Sequence, residues 1–174
     1  MIVAFLGSKG GSGKSTLAIH VAAAWALAGK RVLLLDSDTQ GSALDWLAVR
    51  QGEALFPVVG LPKATLDRDV PRLAADFDHV VIDGAPRRTD VARAALLASD
   101  LAVFPVSPSP LDSWSVASMV GLAEETGTRA VFCLNRCVAR ATIVAAVLEA
   151  LKADYGLSVL KSTLGARAGG GRAG

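Results

Sequence analysis

Ten residues near the start of the chain, Gly7-Ser8-Lys9-Gly10-Gly11-Ser12-Gly13-Lys14-Ser15-Thr16, carry the densest chemistry in the sequence. They follow an apolar run and open an Ala-rich one. A glycine-rich turn between a strand and a helix is the setting in which backbone N–H groups close around a phosphate. Gly10, Gly11 and Gly13 allow the backbone to turn inward, and a helix beginning near Lys14 aims its positive end at the same point. Lys14 adds a point charge for the β- and γ-phosphates, and the Ser15 hydroxyl suits Mg²⁺. Lys9 through Thr16, Ser12 included, are therefore the candidate nucleotide-binding residues. The loop departs from the common G-x-x-x-x-G-K-[ST] pattern, because Ser8 stands at the first glycine position and Lys9 lies inside the loop.

Two further segments end in carboxylates. Asp36 and Asp38 close the run Leu33-Leu34-Leu35-Asp36-Ser37-Asp38-Thr39-Gln40-Gly41, and Asp83 closes Val80-Val81-Ile82-Asp83-Gly84-Ala85-Pro86. Such groups hold Mg²⁺ through water or position an attacking water. Ser15, Asp38 and Asp83 are the candidate metal-side residues, and Asp36 is either a supporting acid or a structural one. His20, in an apolar helix, reads as a core residue, and His79, ahead of a strand, as an exposed one. Trp25, Trp46 and Trp114 are spread apart, as packing residues are. Cys133 and Cys137 have a spacing that matches no common zinc or redox signature, and read as structural thiols.

For these groups to meet, the strands that carry them must end at one edge. The chain alternates short aliphatic runs with longer helical ones. Strands are expected at Ile2–Leu6, Val32–Asp36, Phe56–Val59, Val80–Asp83, Leu101–Val106, Arg129–Asn135 and Leu157–Leu160. Helices are expected at Lys14–Ala28, Ser42–Arg50, Asp69–Asp76, Asp90–Ala98, Leu111–Thr126 and Ala141–Asp154. Strands apolar throughout must be covered on both faces. Strand–helix alternation at this spacing predicts an α/β fold, a doubly wound and mostly parallel sheet with helices on both faces, and places ligands at the carboxyl ends of the strands. Residues 1–164 are expected to form one domain, with 165–174, made of Gly, Ala and Arg, a disordered tail.

The chain has 174 residues, 52% of them hydrophobic and 20% charged, which excludes disorder over most of the length. Its longest apolar run, Leu17–Gly29, is too short to span a bilayer, and no secretory signal is visible, so a cytoplasmic protein is expected. The net charge of +2 implies no nucleic-acid partner, but its distribution is uneven: the residues from Arg129 onward carry +5 and the rest −3. Arg136 and Arg140, between a strand and a helix, are the candidate DNA contacts, with Arg167 and Arg172 adding non-specific attraction.

The loop resembles the deviant Walker A motif, K-G-G-x-G-K-[ST], of the ParA/MinD family of P-loop ATPases. Asp36–Gly41 is similar to that family's D-x-D-P-Q-G switch I, with Thr39 in place of proline, and Asp83–Pro86 to its switch II. Val106-Ser107-Pro108-Ser109-Pro110-Leu111-Asp112 looks like a segment of short ParA/ParF-type partition ATPases, and Leu134-Asn135-Arg136 like the family's [LVI]-N-[RK]. The resemblance implies ATP and Mg²⁺ as cofactors and Lys9, Lys14 and Asp38 as catalytic residues. Lys9 would reach the partner's phosphates across a nucleotide-sandwich dimer, and Asn135 would read adenine or else be a strand-end turn residue. It further implies an ATP-dependent homodimer that binds non-specific DNA, a cargo-linked ParB-like partner that stimulates slow hydrolysis, and association with the nucleoid; no membrane partner is expected, on the composition of the tail Gly165–Gly174.

Family members usually continue past the last strand with another helix or two, whereas this sequence stops at Gly174. With the loop starting at residue 8, neither a preceding helix-turn-helix nor operator-specific binding is expected. Competing readings are a binding-only pseudo-ATPase, a MinD-like membrane-associated ATPase, an iron–sulfur reductase subunit and a small-molecule kinase or ligase. The tail has no apolar residue larger than alanine with which to make a membrane helix, residues 84–100 hold no cysteine for a cluster, and Lys9 speaks against a kinase.

Overall fold

The computed structural model describes residues 1–87, 89–108, 116–137 and 142–160. Among the described residues, seven strands run β1 (Ile2–Gly7), β2 (Val32–Asp36), β3 (Val58–Gly60), β4 (His79–Pro86), β5 (Leu101–Val106), β6 (Ala130–Leu134) and β7 (Ser158–Val159). The helices are α1 (Lys14–Leu27), α2 (Ser42–Val49), α3 (Leu66–Leu73), α4 (Asp90–Leu97), α5 (Ala117–Thr126) and α6 (Thr142–Tyr155). The strands form one sheet in the order β3-β2-β4-β1-β5-β6-β7, with every pairing parallel.

Each strand alternates its side chains between two cores. Ala4, Leu6, Leu33, Leu35, Val80 and Ile82 meet Leu66 and Val70 of α3, Leu96 of α4, Leu122 of α5 and Leu151 of α6. Val3, Phe5, Val32, Leu34 and Val81 face the other way, against Leu17, Ala18 and Ala22 of α1 and Ala43 of α2. Burial on both faces is why the strands read as continuous apolar runs rather than alternating ones.

The register brings the acids together. Asp36 of β2 lies opposite Asp83 of β4, and Asp83 lies opposite Phe5 of β1, just before the phosphate loop. β4 runs on past Asp83 to pair Pro86 with Gly7, and the β1–β4 register shifts between Phe5 and Gly7. Gly84 permits this close approach: a Cβ there would press on the Leu6 side chain and stand 2.8 Å from the Phe5 carbonyl oxygen.

Several expected elements change. α3 begins at Leu66, not Asp69, and Pro71 falls inside it. The segment after Thr65 already has helical bonds from Arg68 and Asp69 back to the Thr65 carbonyl, and the Thr65 hydroxyl donates to Asp69 Oδ2 at 2.6 Å. A 3₁₀ turn, Ala74–Asp76, completes it. β3 shifts to Val58–Gly60, and β4 is twice the length expected. Residues 111–115, the first part of the expected Leu111–Thr126 helix with Trp114, lie outside the described residues, as do Arg140 and 161–174.

The histidine expectations are reversed. His20 is exposed; its Nδ1 lies 2.6 Å from the Thr16 carbonyl oxygen, which only accepts, so Nδ1 carries the proton. His79 is half-buried and stacks on Trp25 at 4.3 Å between ring centroids. The sequence showed His20 among apolar neighbours but not which way it faced along α1. Trp46 stacks on Phe56 at 5.9 Å, and Cys133 and Cys137 are buried free thiols.

Candidate functional site

The loop between β1 and α1 is shaped by left-handed glycines, Gly11 at φ 76° and Gly13 at φ 97°. Gly13 is additionally confined: a Cβ would collide with the Asn135 amide nitrogen and stand 3.2 Å from its Cγ. α1 starts at Lys14 with no side-chain cap and no acidic residue in its first turn. Its first N–H groups and the positive end of its dipole are left to an anion.

α2 is the contrast. Its N-cap, Gly41, has no capping side chain of its own, but Asp36 Oδ2 accepts from Ala43 N at 2.8 Å and Leu44 N at 3.2 Å. Asp36 Oδ1 accepts from Asp38 N at 3.1 Å. Asp36 is fully buried and both its oxygens accept from backbone N–H groups, a structural role that shapes the Asp38 turn. Asp38 itself is half-buried, accepts from Gln40 N at 3.0 Å, and borders the clefts beside the loop.

Asp83 is fully buried, and neither of its carboxylate oxygens has a hydrogen-bond partner of good geometry. Burial pushes its carboxyl up to about 6, and the nearby carboxylates of Asp36 and Asp38 add to the rise; the Ser15 hydroxyl and the Lys14 charge oppose it. The Ser37 N–H and hydroxyl are spent on the Asp83 main-chain carbonyl, at 2.9 and 3.0 Å, and hold the strand end without relieving the carboxylate. An orphaned carboxylate beside Ser15 and Asp38 is an oxygen donor set that suits a hydrated Mg²⁺. Ser12 Oγ is a second buried polar atom without a partner. No cluster of three or more His, Cys, Asp or Glu side chains fit for a metal exists among the described residues, so such an ion would depend on water and ligand oxygens for the rest of its shell.

Lys14 is 6% exposed, and its Nζ donates to the Lys9 carbonyl at 3.2 Å. Burial lowers its pKa, while the Asp83 and Asp38 charges raise it. Lys9 is exposed and borders a cleft of about 220 Å³ with Gly7–Ser12, Pro105, Ser107, Val116 and Arg136. A second cleft, of about 630 Å³, runs past Gly13–Thr16 to Asp38, His20 and Trp46, again with Arg136 at its border.

At the far side of the loop, Asn135 is buried and donates from Nδ2 to the Ser12 carbonyl at 2.9 Å, while its Oδ1 accepts from Arg136 N at 2.8 Å. Arg136 is held at φ 58°, a conformation that costs an L residue about 1 kcal/mol. It is exposed and borders both clefts beside the loop.

The structure thus gathers Lys9–Thr16, Asp38, Asp83, Asn135 and Arg136 at one sheet edge; Arg140 lies outside the described residues. Sequence reasoning missed Arg87, which directly follows β4 and shares a cleft with the loop, and His20 and Trp46, which border it.

Comparisons with known proteins identify the family and the fold. The CobQ/CobB/MinD/ParA nucleotide binding domain matches residues 3–167. The chain is 43% identical over 114 residues to a maintenance of carboxysome distribution protein A from Gloeobacter kilaueensis, covering 64% of this chain and 51% of that protein. It is 32% identical over 152 residues to the chromosome-partitioning ATPase Soj of Thermus thermophilus, covering 71% of this chain and 61% of the relative. The chain spans only about half to two thirds of the length of these two. Among solved structures, the septum site-determining protein MinD of Pyrococcus horikoshii, complexed with Mg-ADP, superposes with a TM-score of 0.74 at 18% identity, over 91% of this chain and 78% of that one. Such low identity speaks to the fold alone, a parallel α/β sheet of the same kind. With the loop, the uncapped α1 and the domain match in place, the chain belongs to the CobQ/CobB/MinD/ParA family of nucleotide-binding domains.

Proposed function

We propose that the protein is an ATP-driven dimerising switch of the ParA type, which positions a plasmid, a chromosome or another cargo over nucleoid DNA. The observation that carries this reading is the division of labour between two lysines. Lys14 is buried against the loop, with its Nζ on the Lys9 carbonyl, whereas the Lys9 side chain stands exposed at the mouth of the phosphate clefts. A second copy of the chain placed over that mouth would meet Lys9 first.

The uncapped α1 N-terminus and the Gly10–Gly13 backbone would bind the nucleotide phosphates, with Lys14 neutralising the β- and γ-phosphates. Ser15, Asp83 and Asp38 would hold the hydrated Mg²⁺, which supplies charge neutralisation to the phosphates when bound. Asp38 would orient the attacking water. Asn135 would contact the adenine while fixing the loop through Ser12. Intrinsic turnover would be slow, and a ParB-like partner would speed it. The relatives named for carboxysome distribution and for chromosome partitioning support a positioning role and leave both kinds of cargo within the proposal. No helix among the described residues is long and apolar enough to cross a membrane.

DNA binding would be electrostatic, through the basic last quarter, with dimerisation doubling the contacts. Mobility-shift titrations with unrelated duplexes test this. Binding is expected with ATP and not ADP, with equal affinity for all sequences, and with log K falling by about 0.9 per log unit of salt for each neutralised phosphate. Arg140→Glu is expected to weaken all duplexes alike with ATP binding intact. Arg136→Glu is assayed separately because Arg136 borders the loop clefts. Equal binding in the ADP and ATP states would contradict the reading.

A further inference from the structure

We infer that Arg87 is a phosphate-contacting residue that reads the terminal phosphate of the bound nucleoside triphosphate from the β4 side of the loop. The inference rests on the nucleotide-switch reading above and adds to it the residue that tells the triphosphate from the diphosphate state.

Arg87 is held at φ 77°, in the left-handed region that a glycine would occupy at ease. Arg136 is the other described non-glycine residue in that region, and its conformation is supported by the bond from its own N–H to Asn135 Oδ1. Arg87 donates its N–H to the Gly7 carbonyl at 3.2 Å, which ties the end of β4 to the first residue of the loop. Close packing of Gly84 on Leu6 and Phe5 keeps this strand end from moving aside. Strain at a site of this kind persists where the surroundings hold it, and it points to a use for the side chain.

The side chain is exposed and takes part in no ion pair or side-chain hydrogen bond among the described residues. It borders an open cleft of about 740 Å³ whose other walls are Ser8–Gly10 of the loop and Ser37–Gln40 after β2. Arg87 there adds a guanidinium to a cleft beside the phosphate loop whose lining holds one carboxylate, that of Asp38. A guanidinium offers a fork of donors that matches two phosphate oxygens at once, which a lysine does not. Arg87 is also four residues beyond Asp83, immediately after the strand that carries it, so a phosphate that engages Arg87 acts on the end of the strand bearing the candidate metal-side acid.

The test is a titration of wild type, Arg87→Gly, Arg87→Ala and Arg87→Lys with fluorescent ADP and a fluorescent non-hydrolysable ATP analogue. Mg²⁺ is present, and the protein is kept at concentrations where light scattering reports a monomer. Arg87→Gly removes the guanidinium and the backbone strain together, and is expected to melt no lower than wild type. Arg87→Gly and Arg87→Ala are each expected to bind the triphosphate at least tenfold more weakly, with ADP affinity within twofold of wild type, and Arg87→Lys to fall between. Triphosphate and diphosphate affinities that drop together, or that both stay unchanged, would overturn the assignment. A wild-type protein that binds neither nucleotide would overturn the underlying reading and this one with it.

Discussion

The side-chain amide of Asn135 donates to the Ser12 carbonyl across 2.9 Å and joins the end of β6 to a loop 123 residues earlier in the chain. The same amide fills the space over Gly13 in which a Cβ would stand, so the loop is closed from above by a residue of another strand. Its geometry is therefore partly built by β6 and not by the glycines alone. Replacing Asn135 by Ala leaves the Ser12 carbonyl without its donor, a loss of about 1 kcal/mol. Nucleotide affinity is expected to fall between fivefold and tenfold by calorimetry. Asn135→Asp is expected to be worse, because a carboxylate faces that carbonyl with no proton to give.

The Asp83 carboxyl, pushed up to about 6 by burial, makes the unliganded protein sensitive to pH. Between the ordinary aspartate value of 3.8 and 6, the folded state keeps a proton that the unfolded chain has released. Stability therefore falls as pH rises through that window and is level above it. At about 1.4 kcal/mol per unit, the penalty at neutral pH is on the order of 3 kcal/mol. Asp83→Asn is accordingly expected to melt higher than wild type at pH 7.5 without ligand, with the gap closing near pH 4, while Mg²⁺-dependent nucleotide binding is lost. Thermal melts across pH check both; a variant less stable than wild type at pH 7.5 would mean that the buried carboxylate has a partner.

The sheet was legible because its strands are covered on both faces, so Val32–Asp36 and Leu101–Val106 stand out as unbroken apolar runs with the bounds the fold gives them. The phosphate loop was legible because Gly13-Lys14-Ser15 follows a strand at fixed spacing. Asp36 was not: its work, accepting from Ala43 and Leu44 at the start of α2, depends on a turn whose shape the sequence does not reveal. His20 was misread because α1 is apolar nearly all round, and periodicity then says little about which side meets the sheet. Arg87 escaped because a positive φ at a non-glycine residue has no signature in residue type.

Asp38 is held by the Asp36 bond to its N–H and faces the clefts with Lys14 and Ser15, a place suited to orienting water more than to holding nucleotide. Asp38→Ala is expected to bind ATP with near wild-type affinity and to lose at least tenfold in turnover. It should then accumulate as the ATP-bound dimer in size-exclusion chromatography. Turnover at the wild-type rate in a phosphate-release assay would remove Asp38 from the hydrolytic role.

Light scattering of wild type and Lys9→Ala with ATP or ADP and Mg²⁺ tests the two-lysine account most directly. With ATP the wild-type mass is expected to double, and with ADP to remain that of the monomer. Lys9→Ala is expected to keep measurable ATP affinity but to stay monomeric and hydrolyse no ATP, whereas Lys14→Ala, which removes the buried charge, is expected not to bind ATP at all. A Lys9→Ala protein that doubles its mass with ATP and turns over normally would contradict the cross-dimer role, and with it the claim that this loop is built for two copies of the chain.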